Sequence, residues 1–159
     1  MKKIKLSENL ELSQVVMGCM RIADSNLTEN ELLNLVEKCL DMGVTSIDHA
    51  PVYGGYTCEK IFGDAVLRKR PELRDKMQII TKAGIVCPGH YGNKTIYYNS
   101  TKEEILKEMD ESLEKLGTDH VDLLLIHRPD PLADPAETAD ALETVVKQGK
   151  ALNVGVSNF

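Results

Sequence analysis

The stretch DLLLIHRPDP, residues 122–131, carries four apolar residues straight into a histidine. A run that short, bounded by an aspartate and two prolines, reads as a β-strand buried on both faces, because a half-solvated strand would alternate polar and apolar residues. Strands buried on both faces belong to parallel sheets covered by helices. The histidine that ends this one, His127, is then expected at the rim of the sheet, facing a site.

The flanking sequence supplies the helices. Thr28 and Glu31 have capping-box spacing, and Leu32, Leu33, Val36, Cys39 and Leu40 recur at helical intervals until Gly43. Ser100 with Glu103, or Thr101 with Glu104, opens a second helix whose stripe is Ile105, Met109, Leu113 and Leu116, ending at Gly117. Asp134 and Pro135 suit the N-cap and first turn of a third, with Leu142, Val145 and Val146 leading to Gly149. A shorter helix is expected over Glu59–Lys69.

Each helix leads into a short apolar run: Val44–Ile47, Met77–Ile80, Val121–Ile126 and Ala151–Val156. With Val15–Gly18 in front, the order is five strands alternating with four helices, the signature of a parallel α/β fold. The N-terminal KIKL and LEL suit a small hairpin ahead of it. A doubly wound sheet and a (β/α) barrel both satisfy this order. The Gly-x-Gly-x-x-Gly loop of dinucleotide-binding doubly wound sheets is absent after the first strand, as is a phosphate-binding P-loop.

The strand ends carry the chemistry. SID ends at Asp48, QIITK at Lys82, DLLLIH at His127 and NVGVSN at Ser157 and Asn158. The C-terminal rim of parallel strands is where ligands bind and catalytic residues sit. Adjacent strands lie about 4.8 Å apart, so Asp48, Lys82 and His127 come within reach of one another if their registers agree. Tyr53 follows Asp48 closely in DHAPVYGG. A phenol with a pKa of about 10 is about three units too weak an acid at neutral pH, a mismatch of about 4 kcal/mol. An ammonium about 4 Å away at an effective dielectric of about 20 favours the phenolate by a similar amount. On this reading Lys82 lowers the pKa of Tyr53, Asp48 holds Lys82, and His127 orients or polarises a carbonyl oxygen.

Composition narrows the partners. The chain has 159 residues, 42% hydrophobic and 28% charged, with a net charge of −6. That length suits one domain over residues 1–159. Its basic residues are interleaved with acidic ones, which leaves no footprint for nucleic acid or an anionic membrane. No run approaches the roughly 18 apolar residues of a membrane span, and the N-terminus lacks the apolar segment of a signal peptide, so the cytoplasm is expected. Cys19, Cys39, Cys58 and Cys87 form no C-x-x-C pair and are read as free thiols, with no metal site. Cys19 and Cys58 fall near the expected site, but nothing argues for an activated thiolate. His49 and His90 are expected at the surface or on a pocket wall. His120 and His127, placed in one strand, would lie on opposite faces about 23 Å apart. Residues 84–100 have the Gly, Pro and Tyr content of a long rim loop, in which Tyr91, Tyr97 and Tyr98 are candidates to line a pocket.

Four segments together, SIDHAPVYGGY, IITKAG, VDLLLIHRPDP and GKALNVGVSNF, resemble the aldo-keto reductases, and the resemblance spans nearly the whole chain. It implies a TIM-type (β/α)8 barrel, present here as its first five strands and four helices. It implies reduction of aldehydes or ketones by hydride transfer from NADPH (NADP+ in reverse). By the same resemblance Asp48, Tyr53, Lys82 and His127 match the catalytic tetrad, with Tyr53 as general acid. Ser157 and Asn158 match the pair that binds the nicotinamide carboxamide, and Gly18, Cys19 and Met20 would border the ring and ribose together with Asp48. Proteins of this family continue well beyond the GVSNF element, so the expectation is either a missing C-terminal half or self-association that covers the open strand edges. The competing reading is a non-catalytic half-barrel that holds no dinucleotide.

Overall fold

The computed structural model describes residues 1–159. Strands β1 (Lys3–Lys5) and β2 (Glu11–Ser13) form an antiparallel hairpin. Then follow β3 (Val16–Gly18), α1 (Glu29–Asp41), β4 (Ser46–Asp48), α2 (Cys58–Phe62) and β5 (Gln78–Ala83). A short pair, β6 (Ile85–Val86) and β7 (Tyr97–Tyr98), precedes α3 (Lys102–Leu116), β8 (Leu123–Ile126), α4 (Pro135–Lys147) and β9 (Val154–Val156). The main sheet runs β3-β4-β5-β8-β9, parallel throughout. Its spatial order follows chain order without the reversal of a doubly wound sheet. This is the winding of a TIM-type barrel, present here as a five-stranded partial barrel.

The two faces of the sheet bury different residues. Ile47, Ile79, Ala83, Leu124 and Ile126 belong to the main core, where the helices contribute Leu32, Val36, Phe62, Ile105, Met109, Ala141 and Val145. On the opposite face Ile80 and Leu123 form a smaller cluster with Leu10 of the hairpin, flanked by Leu12 and Leu125. The hairpin thus closes the bottom of the sheet. Ser13 joins it there, accepting the Thr45 and Ser46 N–H groups at 3.1 and 3.0 Å. Because side chains alternate along a strand, Ser46 and Asp48 share the inner face with Ile80 and Lys82, and with Leu123 and Leu125. That face is apolar below and polar at the C-terminal rim.

Helix ends follow local chemistry. In α1 the Thr28 hydroxyl accepts the Glu31 N–H and the Glu31 carboxylate accepts the Thr28 N–H at 2.9 Å, a complete capping box. Thr28→Ala removes the hydroxyl acceptor and is expected to lower stability by about 1 kcal/mol in urea denaturation. Thr101 caps α3, which settles the choice between Ser100 and Thr101, and Asp134 caps α4 with Pro135 in its first turn.

Three sequence expectations change. The strand expected over Val121–Ile126 is regular only over Leu123–Ile126, and His120 lies ahead of it, paired with Asp119. Residues 84–100 are not all loop, since Ile85–Val86 pairs with Tyr97–Tyr98. The fourth helix is α2 followed by a π-helical turn, Gly63–Leu67. No helix is long and apolar enough to cross a membrane.

Candidate active site

Asp48 ends β4, Lys82 lies near the end of β5, and His127 immediately follows β8. Register sets their heights: Asp48 pairs with Ile80, two residues before Lys82, and Lys82 pairs with Leu125, two before His127. The intervals are even, so all three project to the inner face. Tyr53 arrives from the turn after β4, where its N–H donates to the Ala50 carbonyl at 3.1 Å.

These side chains converge. Lys82 Nζ donates to Asp48 Oδ1 at 2.6 Å, to the His49 carbonyl at 2.8 Å and to Tyr53 Oη at 3.0 Å. The Tyr53 hydroxyl in turn donates to Asp48 Oδ2 at 3.2 Å. The His127 ring meets the Tyr53 ring edge-on, with centroids 6.1 Å apart. All three Lys82 donors are used, which fixes the ammonium against the phenol oxygen.

Electrostatics corrects one expectation. Burial and the Asp48 carboxylate together push the Tyr53 phenol well above its ordinary value, although Lys82 touches it. The carboxylate that holds Lys82 also cancels its field at the phenol. Tyr53 is therefore held fully protonated at neutral pH rather than tuned toward it. Burial, then Lys82, pushes His127 down to about 4, leaving a neutral imidazole.

At the end of β9, Asn158 Nδ2 donates to the His127 carbonyl at 3.1 Å and to Ser157 Oγ at 2.7 Å. This leaves the Asn158 Oδ1 acceptor and the Ser157 hydroxyl proton uncommitted. Gly18 pairs with Asp48 across β3 and β4, and a Cβ placed on it would meet nothing within 4 Å. The Cys19 side chain is fully buried in the main core, so Cys19 brings only its backbone to the rim, whereas Met20 is exposed. Cys58 is likewise buried, its thiol pushed up chiefly by burial.

Sequence reasoning placed His49 at a surface or pocket wall; it is fully buried, edge-on to Phe62 at 4.6 Å, and neither ring nitrogen has a partner. Burial lowers its pKa to about 3, so it stays neutral. The sequence also gave no sign of the carboxyls behind β5. Glu59 accepts Thr81 Oγ1 at 2.6 Å and Ser112 Oγ at 3.1 Å, and Glu108 accepts the Gly84 N–H at 2.6 Å. They brace the strand that carries Lys82. Tyr91, Tyr97 and Tyr98 are substantially exposed. An apolar cavity of about 280 Å³ touching Ile126, Leu142, Val156 and Phe159 lies on the helix side of the sheet, away from Tyr53.

Burial raises Glu108 to about 8 from an unfolded value of 4.5. Its contribution to stability is full below pH 4.5 and is lost as pH rises through 8, because the unfolded chain releases this proton first. His49 acts oppositely: its contribution is full above pH 6.5 and is lost as pH falls toward 3. Between pH 4.5 and 6.5 the two oppose each other, and above that range Glu108 acts without His49. Glu108→Gln is expected to abolish a loss of about 2 kcal/mol between roughly pH 6.5 and 8, measured by urea denaturation at each pH.

The profile of the Aldo/keto reductase family matches residues 14–159. The chain belongs to this family. It is 46% identical over 161 residues to "Uncharacterized oxidoreductase YcsN" of Bacillus subtilis, covering 100% of this chain and 53% of that protein. It is 48% identical over 162 residues to a 6-dehydroglucose reductase of Agrobacterium fabrum, covering 100% of this chain and 54% of that protein. Among solved structures, the holo form of aldo-keto reductase AKR11C1 from Bacillus halodurans superposes with a TM-score of 0.83 at 26% identity, over 100% of this chain and 51% of that one. This aldo-keto reductase chain thus spans about half the length of the relatives it matches.

Proposed function

We propose that this chain carries the proton-donating centre of an NADPH-dependent reductase that converts an aldehyde or ketone to an alcohol, with Tyr53 as general acid. The observation that carries the reading is the Asp48–Lys82–Tyr53 cluster, in which the phenol oxygen receives Lys82 Nζ at 3.0 Å. The phenol keeps its proton until a stronger base arrives. A carbonyl oxygen becomes that base as it gains alkoxide character, and it then accepts the Tyr53 proton. The phenolate left behind is stabilised by the Lys82 ammonium, which Asp48 and the His49 carbonyl keep in place. His127, neutral at pH 7, positions the carbonyl oxygen by hydrogen bonding without competing as a proton donor.

The residues at the end of β9 suit the cofactor. A nicotinamide carboxamide presents one donor group and one acceptor, and the free Asn158 Oδ1 and Ser157 hydroxyl offer the complements. Held there by Ser157 and Asn158, the dinucleotide would supply the hydride for the reduction. Gly18, Met20 and the Cys19 backbone would border it. A sugar aldehyde is the first substrate class to test, since a relative at 48% identity is a 6-dehydroglucose reductase and dehydrogenation of the primary alcohol at C6 of glucose gives an aldehyde.

The direct test is NADPH oxidation with such sugar aldehydes and with simple ketones, alongside calorimetric titration of the dinucleotide. Asn158→Ala is expected to weaken NADPH binding about tenfold, the equivalent of one hydrogen bond of roughly 1.4 kcal/mol. Unaltered affinity in that variant would remove Asn158 from the cofactor site.

A further inference from the structure

The turn that carries Tyr53 is strained. Gly54, Gly55 and Tyr56 are three consecutive residues with positive φ, at 57°, 62° and 71°. Glycine adopts this region freely, but an L-residue such as Tyr56 pays about 1–2 kcal/mol for it. Non-glycine residues held there require compensation from their surroundings and concentrate at functional sites.

The compensation is visible. Tyr56 Oη accepts the Cys87 N–H at 2.8 Å, and the Tyr56 ring stacks on His90 with centroids 3.7 Å apart and planes within 8°. The stack continues to Tyr91, whose centroid lies 3.8 Å from that of His90, and Lys107 of α3 places its Nζ 3.3 Å from the Tyr91 centroid. Tyr91 also has positive φ, at 53°, and its hydroxyl donates to Glu111 of α3 at 3.3 Å. A continuous column of rings therefore links α3, through the rim segment after β6, to the residue three places beyond Tyr53. Tyr53 itself is tied into the same turn, its carbonyl accepting the Thr57 and Cys58 N–H groups, each at 3.3 Å.

We propose that Tyr56 is a positioning residue for the reduction, coupling the rim segment 87–91 to the turn that aims Tyr53. The inference rests on the reading of Tyr53 as general acid. With the column intact, the left-handed turn is held and the phenol stays over Lys82. Without it, Tyr56 relaxes toward negative φ and the Tyr53 hydroxyl loses its fixed direction, while the Asp48–Lys82 pair, held by β4 and β5, remains.

The test compares Tyr56→Phe, Tyr56→Ala and His90→Ala in the full chain by amide hydrogen exchange and by steady-state kinetics. Tyr56→Phe, which keeps the ring but not the acceptor, is expected to speed exchange at the Cys87 amide at least tenfold. Tyr56→Ala and His90→Ala are expected to lower kcat about tenfold with NADPH affinity unchanged. Cys87 exchange that stays at the wild-type rate overturns the coupling. Faster exchange with unchanged kcat makes Tyr56 a structural staple and overturns its role in the reaction. An active Tyr53→Phe would instead sink the reading of the reaction itself, an outcome read from a different variant.

Discussion

Tyr53→Phe is expected to lower kcat by roughly 10²–10⁴-fold, the usual worth of a positioned general acid, while leaving the fold in place. The substitution deletes one oxygen that receives Lys82 at 3.0 Å and donates to Asp48 at 3.2 Å. Lys82 keeps Asp48 at 2.6 Å and the His49 carbonyl at 2.8 Å, so the ammonium remains paired. Loss of these two partly buried hydrogen bonds changes stability by about 1–3 kcal/mol. Single-turnover rates with a saturating carbonyl, set beside a urea melt, separate the two effects. Because Tyr53 stays protonated well above neutrality, the rate is not expected to titrate with its phenol between pH 6 and 8; a tyrosine-dependent inflection in that window would contradict the electrostatics described above.

Gly63→Ala is expected to be the most damaging small substitution in the scaffold. A Cβ there would lie 2.2 Å from the Lys115 carbonyl oxygen and 2.7 Å from that of Leu116, both backbone atoms at the end of α3. The close approach lets Arg68 reach across, donating to the carbonyls of Lys115 and Glu114, which are otherwise orphaned at a helix C-terminus. One added methyl forces the π-helical turn away from α3 and costs about 3 kcal/mol, the upper end of overpacking effects. For a chain of this size that is a fall of roughly 6–12 °C in Tm. Neighbouring Phe62 and Val66 are fully buried, which leaves the turn little room to retreat. Gly63 has right-handed helical φ, so circular dichroism melts of Gly63→Ala and of the exposed control Gly18→Ala, where an added Cβ meets nothing within 4 Å and φ is not positive, distinguish steric clash from the general effect of replacing glycine. A Gly63→Ala melt no lower than that of the control would refute the clash.

Much of this molecule was legible in its sequence because the signals are local. Thr28 and Glu31 act on the same helix turn, Asp134 and Pro135 on another, and the apolar runs ending in Asp48, Lys82 and His127 follow from the two-residue period of a strand. Strand order was not fixed with them: a doubly wound sheet and a barrel both satisfied the alternation, and the resemblance to the aldo-keto reductases pointed to the barrel order that the sheet adopts. The family followed from the same segments. The placement of Asp48, Lys82 and Tyr53 in one cluster agrees with that reading, and its catalytic meaning rests on the kinetics above.

Tertiary structure alone decided the balance of forces at the site. Lys82 beside Tyr53 suggested an acidified phenol. Only the three-dimensional arrangement shows Asp48 touching both, so that its charge cancels the ammonium's field and burial then dominates. The burial of His49, the Glu59–Thr81–Ser112 contact and the Tyr56–Cys87–His90 column likewise join residues far apart in the chain. Periodicity and capping report what a residue does within its own turn or strand. Desolvation and charge coupling depend on distances between elements, which the chain acquires only when the sheet and its helices pack.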